Sequence, residues 1–348
     1  MKKLIYLLLL LPLLHCNKTD DSPGGGDCEV LNVLPDIPGW SVDVIDCLYT
    51  FGYNVEYFYF FDKNNGYARG STLVHSTNGG NSWPVVPNFP NQFLSNSRLI
   101  SGAFDGSLKV LYDSIEPSLT YQVLVSTPDM GQTFTKKVYD GQWPLTRLAF
   151  IDESKGFALG FGQDKFALLE TNDGGENWDE IQGTDFPVVN SVNELVFKTP
   201  DFGYVFMGQT KYAYVTTDGG ANWKTVSADI AQNDVNFYFD TPSRYFATSS
   251  QETVRSTDGG ATWQKIADYS IYILTMKGDD GVAIARDPDC PNLGIAYAFL
   301  TTTDGGLTWT WTKHTDAAIS FVAQELEPGT YVIHNSVGAN QFIWITKD

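Results

Sequence analysis

Apolar residues in this chain gather in short runs bounded by Gly, Asn, Asp and Ser, and beyond the N-terminus none recurs at helical spacing. Such runs read as strands between turns. Residues 57–61 are aromatic, followed by the polar Asp62-Lys63-Asn64-Asn65 and then by Gly66-Tyr67-Ala68-Arg69-Gly70. Residues 148–151, 152–155 and Gly156-Phe157-Ala158-Leu159-Gly160 repeat that order, as do 195–197, 199–202 and Gly203-Tyr204-Val205-Phe206. Looser versions occur at 237–239 with 244–247 and at 273–276 with 281–284. Each pair predicts two antiparallel strands joined by a polar turn.

A second phrase follows each pair. It reads STNGGNSW from Ser76, TNDGGENW from Thr171, TTDGGANW from Thr216, STDGGATW from Ser256 and TTDGGLTW from Thr302, with a worn copy, TPDMGQTF, from Thr127. The starts lie 51, 44, 45, 40 and 46 residues apart, a period that signals a repeat architecture. Asp and Asn bond the backbone just ahead of them, and Gly-Gly accepts positive φ, so the phrase is a tight turn. A β-prone run stands on either side of it, which makes a hairpin. Each repeat therefore holds four antiparallel strands in some 45 residues, one blade of a propeller.

The two ends of the chain set the blade count. Residues 319–326, 329–334 and 341–346 read as the first three strands of a further repeat, and the sequence stops at Asp348 before a fourth. Near the start, Pro38-Gly39-Trp40-Ser41-Val42-Asp43-Val44 reads as the end of the phrase and a fourth strand. The aromatic series then runs Trp40, Trp83, Phe134, Trp178, Trp223, Trp263, Trp309. These positions predict an all-β, seven-bladed β-propeller whose N-terminal strand completes the C-terminal blade. Residues 28–348 form its one domain.

The phrase resembles the Asp box, or BNR repeat, of sialidases and many other propellers. The Gly-aromatic-Ala strand beside it is similar to that of the photosystem II assembly factor family of seven-bladed propellers. In such proteins the box lies away from the active centre. The resemblance therefore implies a structural role for Asn78, Asp129, Asp173, Asp218, Asp258 and Asp304, and for Trp83, Phe134, Trp178, Trp223, Trp263 and Trp309. Near-identical copies around a ring favour the same reading, because an active site needs different residues converging on one point.

Charge narrows the partners. The chain carries a formal −19, which disfavours nucleic acid and anionic membrane surfaces. At the N-terminus Lys2 and Lys3 precede an apolar run from Leu4 to Leu14, too short to span a bilayer, which reads as a signal peptide over residues 1–15. Leu13-Leu14-His15-Cys16 resembles a lipobox, with His15 in place of the usual small residue, and implies a lipid on Cys16. Residues 16–27 follow as a polar, Gly-rich tether. The Lys18 and Asp20-Asp21 set resembles the surface-export signal of Bacteroidetes lipoproteins. The expected address is the outer membrane or cell surface, anchored by lipid alone. In an oxidising envelope Cys28 and Cys47 are the expected disulfide pair, leaving Cys290. No spacing suits a metal, and no cofactor motif is present.

In the propellers this chain resembles, ligands approach the end of the blades opposite the boxes, and the resemblance implies the same end here. The longer connections there are 86–97, 112–121, 137–145, 182–191 and 286–296. Arg69, Tyr112, Tyr139, Trp143, Lys165 and Arg286 are the binding candidates, since aromatics beside cations suit a protein or glycan partner. No catalytic residue is assigned. Sialidases resembling this chain use three arginines and a Phe/Tyr-Arg-Ile-Pro segment, absent here, and xyloglucan hydrolases use two rings. The leading reading is a non-catalytic binding or scaffold module. The alternative is a glycoside hydrolase, with Asp279-Asp280 or Asp287 and Asp289 as paired carboxylates.

Overall fold

The computed structural model describes residues 3–7, 37–46, 57–69, 73–89, 97–116, 119–139, 144–162, 165–182, 192–207, 210–286, 297–315, 321–335 and 341–347. The fold is an all-β, seven-bladed β-propeller, with no helix among the described residues. The chain divides into two compact units, one of Met1–Ile5 and Cys47–Thr225, the other of Tyr6–Asp46 and Val226–Asp348. Lys3–Leu7 forms a short strand. Cys16, the tether, Cys28, Cys47 and Cys290 lie outside the described residues.

In the first unit, blade 1 is Tyr57–Phe60, Gly66–Arg69 and Leu73–Ser76. Its fourth strand shrinks to one bridge, Val74 to Val85, because Pro84 follows Trp83 and has no N–H for the ladder. The two bonds that remain run from His75 N to Pro84 O and from Val86 N to Leu73 O, both at 3.0 Å. Blade 2 is Ser97–Gly102, Leu108–Glu116, Leu119–Thr127 and Thr135–Tyr139. Here the described residues of 112–121, expected as a loop, are two strands paired out to Glu116 and Leu119. Tyr112, Ile115, Thr120, Tyr121 and Val123 keep both strands β-prone to the tip. Blade 3 is Leu145–Phe150, Gly156–Gly162, Lys165–Thr171 and Asp179–Glu180. Blade 4 is Val192–Phe197, Gly203–Met207, Tyr212–Thr216 and Lys224–Ser227, the last strand running across the boundary after Thr225 into the second unit.

The second unit holds blade 5 (Asn236–Phe239, Tyr245–Thr248, Thr253–Ser256, Gln264–Ala267) and blade 6 (Ile271–Lys277, Asp280–Arg286, Tyr297–Thr302, Thr310–Thr315). Blade 7 is Phe321–Glu327, Thr330–Asn335 and Gln341–Lys347, completed by Trp40–Asp46. The register runs from Trp40 opposite Lys347 to Asp46 opposite Gln341, the three-plus-one pairing that the sequence predicts. Trp40–Asp46 thus covers the edge of Gln341–Lys347 and becomes the outer strand of the blade.

Each Asp box works as its chemistry dictates. In blade 4 the Thr216 hydroxyl accepts from Gly220 N (2.9 Å) and donates to Asp218 Oδ1 (2.8 Å), which also accepts from Asn222 N (2.9 Å). The first glycine ties the box to the turn between strands one and two: Gly219 N donates to Asp201 O and Gly305 N to Asp279 O, each at 2.9 Å. The second glycine has another task. A Cβ on Gly220 would lie 2.1 Å from Phe157 of blade 3, and one on Gly306 would lie 2.6 Å from Phe246 of blade 5. Close approach of neighbouring blades therefore demands it, as well as its positive φ. The aromatic that ends the box packs edge-on against the first strand, Trp178 on Phe150 at 5.9 Å and Trp83 on Phe60 at 5.6 Å.

Candidate functional site

Boxes join strands three and four, so the second-to-third-strand turns and blade connections share the other end of each blade. In the first unit that end is built on a repeated irregularity. Register shifts between Ser97 and Leu99, Leu145 and Arg147, and Val192 and Glu194 make Arg98, Thr146 and Asn193 the extra residues of β-bulges in blades 2, 3 and 4. A bulge ends regular pairing and re-aims the side chains beside it. Thr146 Oγ1 donates to Leu159 O (3.0 Å), and Arg147, half-buried, donates from Nη1 to Thr146 O (2.7 Å). Glu194 is buried in blade 4.

Blade 2 clamps this edge from the side. Gln122 Nε2 donates to Leu145 O (2.9 Å) and to Asp113 Oδ1 (3.2 Å), while its Oε1 accepts from Leu145 N (2.6 Å). Phe161 N donates to Pro144 O at 3.0 Å. On this fixed frame Phe161 is 39% exposed and packs on Phe166 with ring centroids 4.9 Å apart; Tyr212, at the same end of blade 4, is 42% exposed. Exposed rings on a braced edge lose little freedom on binding, which suits recognition.

Of the six binding candidates read from sequence, the side chains of Arg69, Tyr112 and Tyr139 are described. Arg69 is buried at the place in the repeat that Leu111, Leu159 and Phe206 fill in blades 2 to 4. Tyr112 is buried in the core with Val110 and Val123, and burial pushes its hydroxyl up to about 12. Tyr139 turns to the box end. Its hydroxyl donates to Gly175 O and accepts from Trp178 Nε1 at 3.1 Å, tying blade 2 to blade 3, and burial raises its pKa. Trp143 lies outside the described residues, and so do the side chains of Lys165 and Arg286.

The carboxylate pair also finds another use. Asp279 accepts from Arg244 Nη1 at 3.2 Å and Asp280 meets Lys347 Nζ at 3.2 Å, both at the box end of blade 6. Asp287 and Asp289 lie outside the described residues. Among the described residues no group of three His, Cys, Asp or Glu could hold a metal. The box carboxylates are held ionised by the bonds they accept. Asn177 bonds lower Asp173 to about 2, and Thr262 bonds lower Asp258 to about 2.

Phe161, Tyr212 and Arg147 are the residues that reading the longer connections missed. Their signal lies in the short hairpins: a large ring next to Gly160 and Gly162, or to Thr210 and Lys211, has no core to enter at a hairpin tip.

Comparison with known proteins agrees with the repeat reading. The BNR/Asp-box repeat family matches residues 254–265. A photosystem II assembly lipoprotein, Ycf48, of Prochlorococcus marinus is 30% identical over 176 residues, 49% of this chain and 48% of that protein. Its Synechococcus counterpart is 24% identical over 160 residues, 43% of this chain and 45% of that one. The chain spans about half the length of the curated relatives it matches. A solved structure of YCF48 bound to D1 peptide superposes with a TM-score of 0.64 at 16% identity, covering 92% of this chain and all of the other. A GH74 xyloglucanase from Xanthomonas campestris gives 0.56 at 12% identity, over 88% of this chain and 54% of that enzyme. At these identities both solved structures establish a shared propeller fold.

Proposed function

We propose that this protein is a lipid-anchored, non-catalytic propeller that binds a polypeptide at the end of its blades opposite the Asp boxes. The observation that carries the proposal is two exposed rings at this end, Phe161 in blade 3, whose bulged first strand is braced by Gln122 and carries Arg147, and Tyr212 in blade 4. Such an edge offers apolar contact and a cation for a carbonyl or carboxylate. Two considerations support a peptide over a glycan: a structural neighbour is a YCF48 bound to D1 peptide, and the matching relatives are named as assembly lipoproteins. The proposed anchor is a lipid on Cys16, read from the lipobox-like Leu13-Leu14-His15-Cys16, and the proposed address with it is the outer membrane or cell surface. Of the carboxylates named for the hydrolase alternative, Asp279 and Asp280 are each matched to a cation.

A displayed peptide library panned against the purified chain tests the reading, with a glycan array and fluorogenic glycosides in parallel. Selected peptides should bind, and Phe161→Ser, Tyr212→Ser or Arg147→Gln should each weaken them about tenfold without lowering the melting temperature. Enrichment on the glycan array alone, or turnover of a glycoside, would overturn it. The anchor has its own test in growth with labelled fatty acid, where Cys16→Ala should abolish labelling.

A further inference from the structure

At the box end of blade 2 two positions break the repeat. In blades 1, 3, 4 and 5 the turn between strands one and two opens on Asp62, Asp152, Thr199 and Thr241. Each side chain accepts from a backbone N–H ahead of it: Asn65 N on Asp62 (2.9 Å), Lys155 N on Asp152 (2.6 Å), and Phe202 N on Thr199 and Arg244 N on Thr241 (both 3.0 Å). Blade 2 has Phe104 in that place. The equivalence is fixed by the backbone, since Ala103 N bonds Ser107 O at 2.8 Å as Ile151 N bonds Lys155 O at 2.8 Å. Capping falls instead to Asp105, whose Oδ1 accepts from Ser107 N at 2.9 Å.

The second break lies in the box. Met130 has φ +56° where Gly79, Gly174, Gly219, Gly259 and Gly305 have +69° to +76°. A side chain with a Cβ is disfavoured there. Both residues are also exposed, Phe104 at 40% and Met130 at 46%, and Met130 reaches the turn that carries Phe104: its Cε lies 3.8 Å from where a Cβ on Gly106 would be. Turn chemistry and burial both argue against large apolar groups at these two places. Conflicts of this kind mark surfaces kept for contact.

The surroundings say what kind of contact. Asp105 Oδ2 accepts from Glu153 N at 2.6 Å, and Asp129 accepts from Thr133 in its own box, so carboxylates frame the apolar pair. Of the nearby lysines, Lys109 is buried below with Nζ on Glu153 O (3.0 Å), Lys137 is bonded to Glu176 (2.8 Å), and Lys136 is exposed on the strand after the box. A second copy carrying a formal −19 would bring like charge to this rim. We propose that Phe104 and Met130 form a second contact surface, separate from the loop end. Its occupant is a protein segment whose apolar side chain is flanked by lysine or arginine.

The test uses the full chain and two synthetic peptides with one Leu-Phe-Leu core, flanked by lysines in one and glutamates in the other, read by fluorescence anisotropy. The lysine peptide should bind, more weakly as salt rises, and the glutamate peptide should not. Phe104→Ser and Met130→Gly should each reduce its affinity about tenfold. Met130→Gly also relieves the backbone conflict, so lost binding in that variant cannot come from misfolding. Phe161→Ser should leave this binding unchanged, which keeps the result independent of the loop-end reading. Equal binding of both peptides, full binding by both variants, or equal loss with Phe161→Ser would overturn the proposal. So would a dimer in sedimentation that Phe104→Ser dissolves, since the occupant would then be a second copy.

Discussion

Trp263 donates its indole N–H to the carbonyl oxygen of Ser227 at 2.8 Å. The two residues belong to different blades, so the ring that closes one box also holds the fourth strand of the blade before it. Its counterparts find other acceptors: Trp178 uses the Tyr139 hydroxyl at 3.1 Å, while Trp83 turns inward to Gly80 O of its own box at 2.8 Å. One position in the repeat thus serves two kinds of contact.

Substitutions at these rings should differ from blade to blade. Trp83 is only 4% exposed, so Trp83→Ala should cost about 3–5 kcal/mol in urea unfolding, as for other buried rings. Trp263 is half-buried, and Trp263→Phe keeps most of its packing while losing the bond to Ser227, at about 1 kcal/mol. No measurable loss in Trp263→Phe would show that the bond to Ser227 carries no weight.

The second glycine of a box should tolerate nothing larger. Gly220→Ala puts a methyl 2.1 Å from Phe157 Cζ at φ +86°, and overpacking with backbone strain should together cost about 2–5 kcal/mol. Gly278 has φ +64° and open space around it, so Gly278→Ala should cost only about 1 kcal/mol of conformational energy. Chemical denaturation of the two variants side by side checks this.

Deleting residues 28–46 removes the strand paired along Gln341–Lys347 and exposes that strand's edge. The product should aggregate, by light scattering, whereas deletion of residues 17–26 should leave the melting temperature unchanged. A stable monomer from the longer deletion would contradict the role given to Trp40–Asp46.

Acid should destabilise the protein in two stages. His75 stacks on Tyr67 with ring centroids 4.3 Å apart, and burial lowers its pKa, so the unfolded chain binds its proton more tightly. The stability from the neutral ring is complete above pH ~6.5 and declines as pH falls below that value. The box carboxylates Asp173 and Asp258, lowered to about 2, contribute stability above pH ~3.9 that is lost as pH falls towards 2. In thermal melts across pH, His75→Phe should flatten the first decline and leave the second in place.

What the sequence determined by itself was whatever is local and repeated. Ser256, Asp258 and Thr262 bond one another within a few residues, so their spacing alone specifies the turn, and its recurrence specifies the blades. The pairing of Trp40 with Lys347 was legible for the same reason, since a missing fourth strand at one end matched a spare one at the other. Tertiary structure decided everything that depends on the neighbouring blade. Phe157 decides that Gly220 must lack a Cβ, and Gly175 O draws Tyr139 away from the end where its place in the chain suggested a ligand contact. It also decided that Arg69 is buried and that Phe161 and Tyr212 are not. Exposure depends on what a side chain meets across a blade interface. Those facing residues vary from repeat to repeat, while the turn chemistry stays the same.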